Sequence, residues 1–291
     1  AGTFAIESVI SSAVPRGGKF VIFSNGSYGD RMQSVADCYG LDVVFERFDE
    51  KTPVDLARVR EVLEDNKDAA LVATVHSETS SGLINDVSGL GAVVKEVLPA
   101  EAKYFVDAMS SFGGIPLDMR EANIDFLVSS ANKCLEGVPG FSYVICTREA
   151  LESCKGNGRT VSLDLFNQNK GLDANGQFRF TPATHAMCAF NEALAEFDAE
   201  GGIEARYNRY RTNNTIVLEG MRALGFKSFL KDEDQGPFIT SFLYPDHPNF
   251  DFNEFYEKLN AKDLCIYPGK TIQFISAATL AVYLYCTLRI L

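Results

Sequence analysis

The sequence predicts an α/β fold in which a mainly parallel sheet is sandwiched by helices, with a smaller C-terminal α+β domain. Strand and helix signals alternate from Lys19 to Cys146. The strands are near-continuous apolar runs, as expected where helices cover both faces of a parallel sheet. Beyond Arg148 the pattern changes, Gly201-Gly202 breaks a long helical stretch, and short strands follow. The expected division is a large domain at 1–205 and a small one at 206–291, of which 271–291 is atypical.

Taken in order, Gly2 to Ile10 reads as the start of a buried helix. Small residues at such a start leave room for an anion on the free backbone amides, although an ordinary cap would look the same. Lys19 to Ser24 is a strand, Asn25-Gly26 a turn and Tyr28 to Tyr39 a helix. Leu41 to Phe48 is a strand, and Pro53 to Glu64 a helix with proline in its first turn. Ala69 to Val75 is a strand leading into a polar loop, His76 to Gly82, and Asp86 to Leu98 is a helix. Tyr104 to Val106, Ile124 to Val128 and Phe141 to Cys146 complete the strands, and Gly156 to Gly176 reads as an exposed loop. Helices follow from Thr181 to about Glu200 and from Ile203 to Leu224, and the pieces Phe238 to Tyr244, Asn253 to Leu259 and Leu264 to Tyr267 make the smaller unit.

The chain has 291 residues, 46% hydrophobic and 23% charged, an ordinary globular composition. A net charge of -12 opposes general binding to nucleic acid or anionic membranes and favours a small-molecule partner. Seven cysteines without a C-x-x-C pair suggest neither a disulfide framework nor a zinc site, which fits the cytoplasm or another reducing compartment. Three histidines are too few for a histidine-rich metal site, and no metal is expected. Pro268-Gly269-Lys270-Thr271 has the end of a P-loop but Leu264 where its first glycine belongs. Gly89-Leu90-Gly91 lacks the third glycine of a dinucleotide fingerprint. His76-Ser77-Glu78 lacks the cysteine pair of a zinc deaminase, and no G-x-S-x-G elbow is present.

Ligand groups in a parallel sheet belong at the carboxyl ends of the strands. That rule selects Asn25 to Tyr28, His76 to Gly82, Asp107 to Ser111 and Ser129 to Lys133. A lysine at a strand exit is desolvated, which lowers its pKa and makes it a candidate Schiff-base nucleophile. Asp107 ends a strand 26 residues earlier and reaches the lysine if both strands share a sheet. Such a pair suits pyridoxal 5'-phosphate, with the lysine on the aldehyde and the acid keeping the pyridine nitrogen protonated. A lone lysine after a strand is more often a solvated loop residue, so the pair and the surrounding loops carry the argument.

Together, Asn25-Gly26-Ser27-Tyr28-Gly29-Asp30-Arg31, His76 to Gly82, Val106-Asp107-Ala108-Met109-Ser110-Ser111-Phe112-Gly113-Gly114 and Ser129 to Cys134 with Gly137-Val138-Pro139-Gly140 resemble the class V aminotransferases of pyridoxal-phosphate fold type I. The resemblance runs from Gly2 to about Lys270. It implies that Lys133 holds the cofactor and carries the proton, that Asp107 pairs with the pyridinium and that Tyr28 stacks on the ring. It also implies that Thr79 reaches the phenolic oxygen, that Gly2, Thr3 and Asn132 bind the phosphate, and that Thr181 reaches the phosphate of a neighbouring subunit in a homodimer. The implied activity is reversible transamination, from 2-aminoethylphosphonate to pyruvate, giving phosphonoacetaldehyde and L-alanine. Another class V activity of the alanine- or serine-glyoxylate type, or a truncated non-catalytic protein of this fold, is the alternative.

Two departures stand out. Family chains start well before Gly2, so a segment covering the site is expected to be missing, which leaves organellar targeting open. Where a polar stretch and an arginine-bearing strand are expected, Thr271 to Leu291 is apolar. Arg289 comes late for the substrate-gripping arginine, and unspliced sequence would account for this end. The run from Phe274 reaches the minimum length of a membrane span but contains Ser276, Thr279, Thr287 and Arg289, so a buried or misplaced segment is the preferred reading over an anchor.

Overall fold

The computed structural model describes residues 1–269 and 273–277. In chain order its elements are α1 (Gly2–Ala13), β1 (Lys19–Ser24), α2 (Ser27–Cys38), β2 (Asp42–Arg47), α3 (Leu56–Asp65), β3 (Ala69–Val75), β4 (Ser77–Glu78), β5 (Leu83–Ile84), α4 (Val87–Val97), β6 (Lys103–Asp107), β7 (Phe126–Ser130) and β8 (Ser142–Cys146). Then come α5 (Arg148–Ser153), α6 (Leu165–Asn175), α7 (Thr184–Glu200), α8 (Gly202–Ala223), β9 (Ile239–Leu243), α9 (Phe252–Asn260), β10 (Tyr267–Pro268) and β11 (Gln273–Ala277).

The main sheet has the order β2-β1-β3-β6-β7-β8, parallel except for β8 against β7. Its strands are apolar at consecutive positions because both faces are covered. Val21, Phe23, Val72, Tyr104, Val106 and Leu127 pack with α3 and α4 in one core. The alternate residues Phe20, Ile22, Leu71, Ala73, Phe105 and Phe126 pack with Ile6, Val9 and Ile10 of α1 and Met32 of α2 in the other. The strand order reverses direction between β1 and β3, where parallel sheets open a crevice at their carboxyl edge. Asn25 and Asn85 stitch that opening: Asn25 Nδ2 donates to Asn85 Oδ1 at 2.8 Å, and Asn85 Nδ2 donates to the Val75 carbonyl at 2.8 Å.

The second sheet, β10-β11-β9, is antiparallel. Phe242, Ile266 and Phe274 form its core with α8 and α9. It meets the main unit where Gly236 N donates to the Gly82 carbonyl at 2.8 Å. Gly82 has φ +93, and a Cβ there would sit 2.4 Å from the Ile239 carbonyl oxygen, so the approach requires glycine on both counts.

Several local expectations change. The stretch Gly156 to Gly176 is not a loop throughout, since Asp164 caps α6 by accepting from Asn167 N and Leu165 and Phe166 lean on the second core. Helix α3 starts at Leu56 because Asp55, rather than Pro53, sets its first turn by accepting from Ala57 N. The loop after β3 contains a small hairpin, β4 against β5. Strand β7 continues to Ser130 because β8 pairs with it to that point, Ser130 opposite Ser142. Residues 270–272 and 278–291, including Arg289 and most of the apolar tail, lie outside the described residues. Among the described residues no helix is long and apolar enough to cross a membrane.

Candidate active site

The carboxyl ends of β1, β3, β6 and β7 come into one register, with Val75 opposite Asp107 and Asp107 opposite Val128. Asp107 is therefore at the centre of the sheet edge, 1% exposed. Its Oδ1 accepts from Met109 N at 2.8 Å, and its buried Oδ2 has no hydrogen-bond partner among the described residues. Burial pushes the carboxyl up to about 7, with the Met109 amide opposing and the field of Glu78 reinforcing the shift. A buried carboxylate oxygen without a donor is a vacancy for one, and a protonated ring nitrogen is such a donor.

Lys133 follows β7, half-buried, and within the described residues no ion pair or hydrogen bond holds its ammonium. Burial lowers its pKa, the charge of Arg31 adds to that, and Cys134 and Asp107 oppose it. Lysine and aspartate thus lie within each other's field, because β6 and β7 are neighbours in one sheet. Tyr28 joins them from the first turn of α2. Burial raises its phenol pKa, and the Arg31 guanidinium, 4.7 Å from its ring centroid, pulls the other way.

Glu78 explains why α2 begins where it does. It is fully buried, and its carboxylate accepts from Tyr28 N at 3.2 Å and from Ser80 Oγ at 2.5 Å, capping a helix whose own Gly26 has no side chain to offer. A Cβ on Gly26 would lie 2.1 Å from the Glu78 carboxyl carbon, so glycine admits the cap. Desolvation raises the Glu78 pKa against these donors. His76 is likewise structural. Burial pushes it down to about 4, which keeps it neutral, its Nδ1 lies 2.9 Å from Ser111 Oγ, and its backbone N donates to the Asp107 carbonyl at 2.9 Å.

The remaining candidates divide into two groups. Gly2 abuts the Met109 side chain, which a Cβ would meet at 2.8 Å, and α1 starts without a side-chain cap, leaving its first amides open beside the Asp107 loop. Thr3 Oγ1 accepts from Arg31 Nη1 at 3.4 Å, so the start of α1 and the Tyr28 face of α2 meet. Thr79 Oγ1 lies 2.6 Å from Ser110 Oγ, and Asn132 Oδ1 accepts from Ser130 Oγ at 3.0 Å. Thr181, in contrast, is on the exposed segment before α7, and no hydrogen bond ties it to the others within the described residues. The charge of Arg31 was not assigned a role from sequence, yet its place three residues after Tyr28 on one helix puts both on the same face.

Among the described residues no cluster of His, Cys, Asp or Glu is arranged to hold a metal ion, and the six described cysteines are free thiols. The donor set instead fits pyridoxal 5'-phosphate: an unpartnered buried carboxylate oxygen, an unpaired lysine, an aromatic ring and uncapped helix amides converge on one sheet edge.

Similarity to known proteins agrees with this chemistry. The family description "Aminotransferase class-V" matches residues 1–290. A 2-aminoethylphosphonate–pyruvate transaminase from Bacteroides fragilis is 48% identical over 270 residues, covering 92% of this chain and 74% of that protein. A protein of the same description from Syntrophobacter fumaroxidans is 47% identical over 270 residues, covering 92% and 72%. Among solved structures, an alanine–glyoxylate aminotransferase from Nostoc sp. superposes with a TM-score of 0.87 at 25% identity, over 95% of this chain and 74% of that one.

Proposed function

This chain belongs to the class-V aminotransferase family, a pyridoxal-phosphate-dependent fold family, and from that premise we propose that it transfers the amino group of 2-aminoethylphosphonate to pyruvate. The products are phosphonoacetaldehyde and L-alanine. The 48% identity to a relative described by that reaction carries the substrate choice.

Pyridoxal 5'-phosphate, when bound, supplies an aldehyde that captures amines and a ring that accepts the electrons released on proton removal. Lys133 would hold the aldehyde and, once displaced by substrate, move the proton as a free base. Its lowered pKa makes the uncharged amine more abundant at neutral pH than on a solvated lysine. Asp107 would meet the ring nitrogen through Oδ2, the oxygen without a partner in the described residues. A cation there would favour the charged carboxylate and reverse the upward shift that burial imposes.

Tyr28 would stack on the ring. Thr79, paired with Ser110, would serve the phenolic oxygen. The amides of Gly2 and Thr3, the Thr3 hydroxyl and Asn132 would take the phosphate. Thr181, exposed in this chain, would reach the phosphate of a second copy, so the working form is a homodimer.

The test is to add 2-aminoethylphosphonate and pyruvate to the cofactor-loaded chain and follow L-alanine and phosphonoacetaldehyde. Equal amounts of the two products are expected. Alanine formed from another amino donor but not from this one would transfer the assignment to a different class-V activity, and no alanine from any donor would leave a non-catalytic member of the fold.

A further inference from the structure

Lys133 lies in a loop that its own hydrogen bonds close: Glu136 N donates to the Lys133 carbonyl and Gly137 N to the Ala131 carbonyl, each at 2.8 Å. Within it Glu136 has φ +58, a left-handed conformation that residues with a Cβ avoid. A glycine would adopt it freely. The Glu136 carboxylate shows what the side chain does there. It accepts from Tyr210 OH at 2.7 Å and Arg209 Nη2 at 2.9 Å, with Arg206 Nη1 at 3.7 Å.

Arg206 is 2% exposed, and its Nη1 also donates to the carbonyl of Cys134, the residue after Lys133, at 2.5 Å. Tyr210 OH, whose proton goes to Glu136, lies 3.4 Å from the same carbonyl. Glu200, at the end of α7, orients both guanidinium groups, taking Arg206 Nε and Arg209 Nε at 2.6 Å each. Gly201 and Gly202, at φ +111 and +69, make the sharp α7–α8 turn that folds Glu200 back onto these arginines. On the other side the Cys134 thiol donates to the Ser110 carbonyl at 3.2 Å, tying the loop to the segment that follows Asp107.

Two cations and two anions balance in this cluster. Arg206 is buried while its partners Glu136 and Glu200 stay 25% and 23% exposed, so the cluster contributes modest stability, and the better-attested use of such a network is to specify one geometry. We infer that Glu136, Glu200, Arg206, Arg209 and Tyr210 are positioning residues that hold the backbone on either side of Lys133 and so aim its amine at the Asp107 side of the crevice. The inference rests on the reading of Lys133 as the cofactor lysine.

The experiment uses the full chain freed of cofactor, mixed with pyridoxal 5'-phosphate and quenched with borohydride at timed intervals over a range of pH, with the adduct on the Lys133 peptide measured by mass spectrometry. Glu136→Gly keeps the left-handed backbone and removes the carboxylate. It is expected to lower the limiting rate of adduct formation about tenfold without moving the pH midpoint, because orientation changes while the surroundings of the amine do not. Glu136→Gln, which keeps an acceptor for Tyr210, should recover most of that loss. Asn214→Ala, elsewhere on α8, removes a buried bond to Thr240 and should lower the melting temperature while leaving the trapping rate unchanged.

A Glu136→Gly limiting rate equal to that of the natural chain overturns the inference, as does a fall that Asn214→Ala reproduces. If Glu136→Gly does not fold, Tyr210→Phe removes the hydroxyl's bond to Glu136 without changing charge, and a limiting rate within twofold of the natural chain would overturn the inference equally. A natural chain that is not trapped on Lys133 refutes the cofactor reading instead.

Discussion

Two lysines serve opposite edges of one sheet. Lys103 begins β6 at the amino edge, its side chain 7% exposed, and its Nζ donates to Glu149 Oε1 at 2.9 Å and to the Ala100 carbonyl at 3.1 Å. Lys133 follows β7 at the carboxyl edge, and among the described residues nothing pairs with it. The acids divide in the same way. Asp125, at the amino edge, accepts from Tyr104 N at 2.9 Å, whereas Asp107 ends β6 with Oδ2 unpartnered. Burial alone therefore does not mark a site. At the carboxyl edge Glu78 is satisfied by its cap on α2, whereas Lys133 and one oxygen of Asp107 have no partner among the described residues, and these two are the groups proposed to meet a cofactor.

The comparison breaks most visibly at the lysine. Lys133→Ala should reduce L-alanine formation by at least about a thousandfold while leaving the fold intact, since both roles proposed for Lys133 are lost together. Asp107→Asn keeps the volume and removes the charge, and should cost about a hundredfold in the same assay.

A pH series sharpens the point. In the cofactor-free chain burial holds Asp107 at about 7 against an ordinary 3.8. Between those values the folded chain keeps a proton that the unfolded chain releases, so this group makes stability fall as pH rises from about 4 to about 7, by a few kcal/mol at most, with no further change above. Melting temperatures of Asp107→Asn should lack that decline. Tyr28→Leu should weaken cofactor binding about threefold to tenfold, the usual worth of an aromatic contact, as read by equilibrium titration. Smallest of all, Lys103→Met at the amino edge should leave turnover unchanged and shift stability by no more than about 1 kcal/mol, because its partner Glu149 is 82% exposed and returns to water.

The layered sheet and the loops that gather at its carboxyl edge were legible because they rest on local pattern. Apolar runs such as Phe20 to Phe23 announce a strand covered on both faces, and the polar residues after each strand fall together once the strands are parallel. The expectation that Asp107 and Lys133 lie near each other needed only that their two strands share a sheet, which β6 and β7 do. Other features depend on contacts across the chain. Nothing local to Glu78 reveals that it caps α2 through a gap left by Gly26, and nothing near Lys133 announces Arg206, 73 residues later. Helix α6 was missed because its Gly, Asn and Asp content reads as loop, and the Asp164 cap and the packing of Leu165 and Phe166 override that weak propensity. The exposed Thr181 gives no signal within one chain of the second copy it is proposed to serve.

The most direct test of the carboxyl edge sets the two lysines against each other in one sample. The chain is saturated with pyridoxal 5'-phosphate, reduced with borohydride, digested and mapped. The cofactor mass is expected on the peptide containing Lys133 at close to one per chain, and absent from the peptide containing Lys103. An adduct spread over surface lysines, or none on Lys133, would contradict the account.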